Sequence, residues 1–202
     1  VPLSSLFLPA ADVWLDPQFL PAAEAARLQQ ELTETLQWRQ EPIRLFGKDV
    51  LQPRLTAWYG DATACYSYSG LSLTPRPWTP ALLALRTQVE QAADTTFNSV
   101  LLNLYRTGQD SMGWHADDEP ELGPEPVIAS VSLGDTRRFR LRPRHPQQLH
   151  QAPLGLDLPS GSLLLMRGST QQHWLHAVPK TARPVGARIN LTFRTIHARL
   201  GH

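Results

Sequence analysis

Apolar residues recur every three or four positions in two stretches of the first half of the chain, and every second position through most of the second half. After Pro21, Leu28, Leu32 and Leu36 repeat at intervals of four within an Ala/Glu/Gln-rich segment, the one-sided stripe of an amphipathic helix over about 21–37. Thr79-Pro80 pairs a helix N-cap with a proline at the first helical position, and Leu82, Leu85, Val89 and Ala92 trace one face to about residue 93. From Phe97 onward the period becomes two, predicting strands over 99–105, 127–133, 138–141, 161–166, 173–178 and 187–195, parted by Gly, Pro and Asp clusters. Many short strands with turns between them predict a mainly β fold with flanking helices: two antiparallel sheets in a sandwich or jelly roll, the helices packed outside one sheet. The chain is expected to form a single domain over 1–202, with helices and loops in 1–97 and the β core in 98–202.

The alternation also sorts the polar residues by face. In the last strand Ile189, Leu191 and Phe193 share one face, and Arg188, Asn190, Thr192 and Arg194 the other. For an arbitrary strand the second face would be a solvent face. Two arginines bracketing a polar strip also suit a short dianion such as a dicarboxylate, because guanidinium pairs bidentately with carboxylate. In 99–105, Asn103 and Tyr105 share a face with Leu101; taken alone this reads as an edge strand with a polar outer side. Just beyond, Gly113-Trp114-His115-Ala116-Asp117 would bring His115 and Asp117 to one point, and a second histidine from a distant strand would complete a facial triad suited to non-haem iron. The pair is weak by itself. His173 and His176, in one predicted strand but three apart, point to opposite faces, so only one of them can turn inward.

Composition bounds the partners. The chain has 202 residues, a net charge of +1 and a proline count of 18, near twice the usual share, which agrees with short strands and many turns. No apolar run is long enough to span a membrane, and the apolar start lacks the basic flank of a signal peptide. The single Cys65 suits a reducing compartment, the cytoplasm if the source is bacterial or the nucleus if it is eukaryotic. A near-neutral total argues against nucleic acid only until its distribution is read. Five arginines (Arg137, Arg138, Arg140, Arg142 and Arg144) fall within eight positions, whereas 110–125 holds six acids and no Lys or Arg. A basic surface beside an acidic pocket would suit an anionic backbone carrying a cationic base.

Several motifs in order resemble the AlkB group of Fe(II)- and 2-oxoglutarate-dependent nucleic-acid dealkylating dioxygenases. They are Asn103-Leu104-Tyr105-Arg106-Thr107-Gly108-Gln109-Asp110, Trp114-His115-Ala116-Asp117-Asp118-Glu119-Pro120, Ile128-Ala129-Ser130-Val131-Ser132-Leu133-Gly134, His173-Trp174-Leu175-His176-Ala177-Val178-Pro179 and Arg188-Ile189-Asn190-Leu191-Thr192-Phe193-Arg194. The resemblance spans about 40–196. It implies a double-stranded β-helix, and iron held by His115, Asp117 and His176, with His173 structural. It assigns Arg188 to the distal carboxylate of 2-oxoglutarate, Arg194 to the carboxylate beside the keto group, and Asn103, Tyr105 and Asn190 to further contacts with that co-substrate. O2 is the second co-substrate. The activity implied is oxidative demethylation of 1-methyladenine and 3-methylcytosine in DNA or RNA, releasing formaldehyde, succinate and CO2, by a protein expected to be monomeric.

The same resemblance places Tyr68 and Ser69 at the flipped base, with Asp118 and Glu119 beside it to favour a cationic lesion. Leu45-Phe46-Gly47-Lys48 looks like the hairpin tip of members that repair duplexes, where Phe46 would be a wedge, while Arg54-Leu55-Thr56-Ala57-Trp58-Tyr59-Gly60 looks closer to members favouring single strands. Lys48, Arg76, Arg138, Lys180 and Arg183 are candidates for phosphate contacts. The competing readings are the same chemistry on modified RNA or protein, a binding module without turnover, and a zinc hydrolase, which would leave both arginines without a role.

Overall fold

The structure, a computed structural model, describes residues 3–45, 48–64, 66–68 and 71–197; Phe46, Cys65 and Ser69 lie outside the described residues. The chain runs β1 (Ser4–Ser5), β2 (Asp12–Asp16), α1 (Ala22–Thr35), β3 (Pro42–Leu45), β4 (Lys48–Leu51), β5 (Leu55–Gly60), β6 (Tyr66–Tyr68), β7 (Leu71–Leu73) and α2 (Pro80–Ala93). It continues through β8 (Ser99–Tyr105), β9 (Met112–His115), β10 (Ile128–Gly134), β11 (Arg137–Pro143), β12 (Leu154–Leu158), β13 (Leu163–Arg167), β14 (Trp174–Val178) and β15 (Arg188–Arg194). The Thr79 side chain caps α2 by accepting from the Leu82 amide at 3.3 Å, with Pro80 in the first turn, as the sequence predicts.

The strands form a seven-stranded sheet of order β1-β2-β13-β10-β15-β8-β5 and a four-stranded sheet of order β12-β11-β14-β9, with two small pairs, β3-β4 and β6-β7. Every ladder is antiparallel, which gives the jelly-roll architecture expected. The larger sheet draws β1, β2 and β5 from the first half of the chain, so a division near residue 97 is not a division of the sheet.

Two apolar layers follow. Leu28, Leu32, Leu82, Leu85 and Val89 from the helices pack with Val100, Leu102, Ile189, Leu191 and Phe193 on the outer face of the large sheet. Between the sheets lie Phe139, Leu141, Leu158, Leu164, Met166 and Trp174. Both faces of β15 and β8 are therefore covered, which decides against the solvent-face and edge-strand alternatives for their polar residues. The polar face of β15 is not solvent-facing: Arg188 is 1% exposed and Thr192 7%. Nor is β8 an edge strand, since β15 and β5 flank it.

Strand boundaries shift where turns intervene. Gly161 stands at φ +80° with no room for a β-carbon beside the Leu20 carbonyl, so β13 starts only at Leu163. Residues Thr170–His173 form a helical turn, and β14 begins after it, at Trp174. Among the described residues no helix is long and apolar enough to cross a membrane.

One ion pair ties the loop after β8. Asp110, 6% exposed, accepts from the Arg106 backbone amide at 2.9 Å and from its guanidinium at 2.8 and 3.0 Å. Burial would raise the Asp110 carboxyl, but the Arg106 bonds outweigh it and its pKa is lowered. A depressed carboxyl stabilises the fold above its unfolded pKa, and that stabilisation is lost as pH falls through the folded value. Asp110→Asn is therefore expected to cost about 1 kcal/mol at pH 7 in urea unfolding, the Arg106 side being partly exposed. The difference from wild type should shrink below pH ~4; a gap that stays constant down to pH ~3 would assign the loss to packing instead.

Candidate metal and co-substrate site

His115, Asp117 and His176 offer ligand atoms that all lie within 4.8 Å of one another. His176 on β14 stands directly opposite His115 on β9, and their rings approach to 4.2 Å between centroids. Phe139 of β11 stacks on the His176 ring at 5.4 Å. Burial pushes the His176 pKa down to about 3, so the imidazole is neutral and its lone pair is free for a metal. His173, in the helical turn ahead of the strand, is not part of this cluster.

Asp117 is not carried by the strand that presents His115, because β9 ends at His115. Two other contacts place it. Its backbone amide donates to Gln171 Oε1 at 3.0 Å, and its Oδ1 accepts from Arg194 Nη2 at 2.6 Å. Burial would raise this carboxyl, but Arg194 and the two histidines prevail and its pKa is lowered, leaving an anionic ligand. Two imidazoles and one carboxylate are the donor set of a divalent first-row metal that keeps coordination positions open. Gln171, 1% exposed, is a part of the site that the motifs did not single out; no period or spacing in the sequence ties it to Asp117.

The candidate co-substrate residues face each other across one ladder: Asn103 opposite Asn190, and Tyr105 opposite Arg188. Asn190 donates to Ser130 Oγ at 2.7 Å and Arg188 to Ser132 Oγ at 2.9 Å, so two serines of β10 hold this polar strip from the other side. Asn103 Oδ1 accepts from Arg54 Nε at 2.7 Å. The guanidiniums of Arg137 and Arg188 stand 5.6 and 5.4 Å from the Tyr105 ring.

Arg188 is the informative residue. It is fully buried, its Nε and Nη1 find no partner at hydrogen-bond geometry among the described residues, and burial lowers its pKa only to about 10 with the neighbouring Tyr105 side chain supporting the charge, so it stays a cation. A buried guanidinium with two donors unmet costs several kcal/mol unless an anion completes it. A carboxylate meets that need, so the site offers donors for a divalent metal and, apart from them, a buried cation for an anionic co-substrate.

Arg194 also borders a cleft of about 640 Å³ lined by Arg54, Thr56, Trp58, Arg76, Leu101 and Glu119 among others. Thr56 pairs with Asn103 and Trp58 with Leu101, so these side chains share the inward face of the sheet. Glu119 lines the cleft, whereas Asp118 does not: it is exposed and held by Arg144 at 2.6 Å. The cleft also counts Arg39 and Glu41 in its wall, so it is of mixed charge rather than acidic. Arg76 belongs to this cleft, while Arg138, Lys180 and Arg183 line a separate groove on the far side of the small sheet. For Tyr68 and Lys48 the structure describes the strand positions, in β6 and β4.

Comparison with known proteins agrees with this geometry. Residues 12–194 match the family model described as the 2OG-Fe(II) oxygenase superfamily. The chain is 41% identical over 191 residues to the alpha-ketoglutarate-dependent dioxygenase alkB homolog 3 of Homo sapiens, covering 92% of this chain and 66% of that protein. It is 42% identical over 183 residues to the DNA oxidative demethylase ALKBH2 of Mus musculus, covering 86% of this chain and 76% of that protein. The chain thus spans about two thirds of the length of the homolog 3 proteins it matches. Among solved structures, that of OsALKBH1 superposes with a TM-score of 0.64 at 17% identity over 96% of this chain and 100% of that one, a likeness of fold. The chain belongs to the 2OG-Fe(II) oxygenase superfamily and, within it, to the AlkB family.

Proposed function

We propose that this protein is an Fe(II)- and 2-oxoglutarate-dependent oxidative demethylase of N-alkylated bases, acting on 1-methyladenine and 3-methylcytosine in DNA or RNA. The observation that carries the reading is the position of Arg194. It bonds the carboxylate of the metal cluster and at the same time borders a cleft large enough for a nucleotide.

The chain's own residues prepare the reaction. His115, Asp117 and His176 would hold the metal on one face, and Arg188 and Arg194 would bind the two carboxylates of the co-substrate. Bound there, Fe(II) with 2-oxoglutarate and O2 supplies the oxidation of an N-methyl carbon to a hydroxymethyl group that leaves as formaldehyde, with succinate and CO2 as co-products. Trp58, Leu101 and Ile196 give the cleft apolar walls that keep water from the methyl carbon. A base within a duplex cannot reach so recessed a centre, so the substrate base enters flipped out or from a single strand. Glu119 would offset the positive charge of a base methylated at N1 of adenine or N3 of cytosine, and Arg76 would meet its phosphate.

The test is direct. Protein loaded anaerobically with Fe(II) and 2-oxoglutarate is exposed to O2 with oligonucleotides carrying 1-methyladenine or 3-methylcytosine. Loss of the methyl group matched by equimolar succinate is expected. Succinate formation that none of these oligonucleotides stimulates would move the substrate to another class, such as a modified RNA base or a protein side chain.

A further inference from the structure

The four-stranded sheet has an outer face that takes no part in the site. On β11, Phe139 and Leu141 point inward, so Arg138, Arg140 and Arg142 stand on the outside. Arg138 and Arg140 are exposed and, with Lys180 and Arg183, line a groove of about 930 Å³ between β11, β12 and the segment after β14. The groove has one acid in its wall, Asp157, paired with Arg138 at 3.1 Å. Gly155 lacks a side chain where a β-carbon would collide with the Arg138 guanidinium, so that guanidinium lies across bare backbone.

The groove is preformed. Buried Arg137 donates to the carbonyls of Thr107, Asp110 and Pro179 at 3.1, 2.8 and 2.8 Å, and the Thr181 amide donates to the Gly108 carbonyl at 2.8 Å. These bonds pin the wall that carries Lys180 and Arg183 to the loop after β8.

The positive surface does not stop at the groove. A second depression shares Arg140, Pro179 and Lys180 with it and ends at Gly113 and Trp114 on β9. Arg140 and Arg142 lie over the Trp114 ring at 5.8 and 4.4 Å, which gathers both guanidiniums beside one aromatic face. Alternate residues of a strand are about 7 Å apart. That is close to the separation of neighbouring phosphates in an extended strand, so Arg138, Arg140 and Arg142 match a polyanion in spacing as well as in sign. The track ends on the edge strand whose next residue is His115.

We propose that the outer face of the small sheet, from the β11–β12 groove to Trp114, is a track for the sugar–phosphate backbone of a single-stranded nucleic acid, holding the nucleotides that flank the base in the cleft. This rests on the nucleic-acid substrate proposed above. A free phosphate would need one or two of these cations, whereas a row of them leading to the metal site fits a chain.

The experiment measures binding apart from turnover. A 5′-labelled, unmodified 15-nucleotide strand is titrated by fluorescence anisotropy between 25 and 200 mM salt. Arg140→Gln/Lys180→Gln is expected to raise Kd about tenfold at the lowest salt and to reduce the slope of log K against log salt by about 1.4, two phosphates' worth. Arg27→Gln/Arg167→Gln, which removes two charges elsewhere, should leave both unchanged. Asp157→Asn, which removes the acid from the groove, should tighten binding. Kd and slope equal to wild type in the Arg140/Lys180 variant, or an equal loss in the Arg27/Arg167 variant, would overturn the track. Turnover of a 1-methyladenine trinucleotide by the wild type is assayed in parallel. Turnover with no shift in binding removes the track and leaves the demethylase; a shift in binding without turnover does the reverse.

Discussion

Asp117→Ala is expected to lower the affinity for Co(II), a spectroscopic stand-in for iron, by at least about 100-fold, since it removes the one anionic ligand of the cluster. The effect should be large because, among the described residues, Asp117 is the one carboxylate clustered with the two imidazoles. Asp117 is 3% exposed, anchored at its amide by Gln171 and at its oxygen by Arg194, and an imidazole ligand brings no negative charge to a metal. The visible absorption of bound Co(II) reads the loss without any need for catalysis, and far-ultraviolet circular dichroism checks that the sheets persist. Affinity within threefold of wild type would mean that the three side chains are not the ligands.

The second large effect is expected at Arg188. Arg188→Met should raise KM for 2-oxoglutarate by roughly 100-fold, about 3 kcal/mol at 1.4 kcal/mol per tenfold, while kcat at saturating co-substrate changes little. Arg188→Lys keeps the charge but loses the fork, and should fall between the two. A thermal measurement separates this role from a structural one. Without ligand, Arg188→Met should unfold at a temperature equal to or above that of wild type, because it removes a buried cation whose Nε and Nη1 are unmet. With 2-oxoglutarate and Mn(II) added, the wild type should gain stability and the variant should not. A variant less stable than wild type without ligand, with KM unchanged, would make Arg188 a packing residue.

Much of the site was legible before any coordinates. The register that sets Asn103 opposite Asn190 and Tyr105 opposite Arg188 uses the residues that alternation had already sorted onto one face of each strand. The start of α2 was legible for a local reason as well, since Thr79 and Pro80 act within one turn of themselves. Expectations failed where the deciding partner is far along the chain. Asp118 follows a metal ligand in sequence, yet Arg144, 26 residues on, draws it out of the cleft. The arginine run of 137–144 reads as one basic surface, but the pleat turns Arg137 inward and leaves Arg138, Arg140 and Arg142 together on the outer face. Arg137 is buried against three carbonyls, Arg138 and Arg140 line the outer groove, Arg142 lies over Trp114, and Arg144 holds Asp118.

By itself the sequence determined the periods: two helices, a run of short strands, and which side chains of each strand travel together. Those follow from backbone geometry that repeats every 3.6 or every two residues and needs no distant partner. Which face would be wet was decided only by the tertiary structure, because alternation says that the faces differ and not what covers them. Helices cover one side of β15 and a second sheet the other, so a strip that would be a solvent face on an isolated strand becomes an enclosed site with a buried arginine. The same enclosure turns the remaining arginines of β11 outward. A net charge of +1 thus resolves into a cationic outer face and an inner site where Asp117 is paired with Arg194 and buried Arg188 keeps two donors unmet.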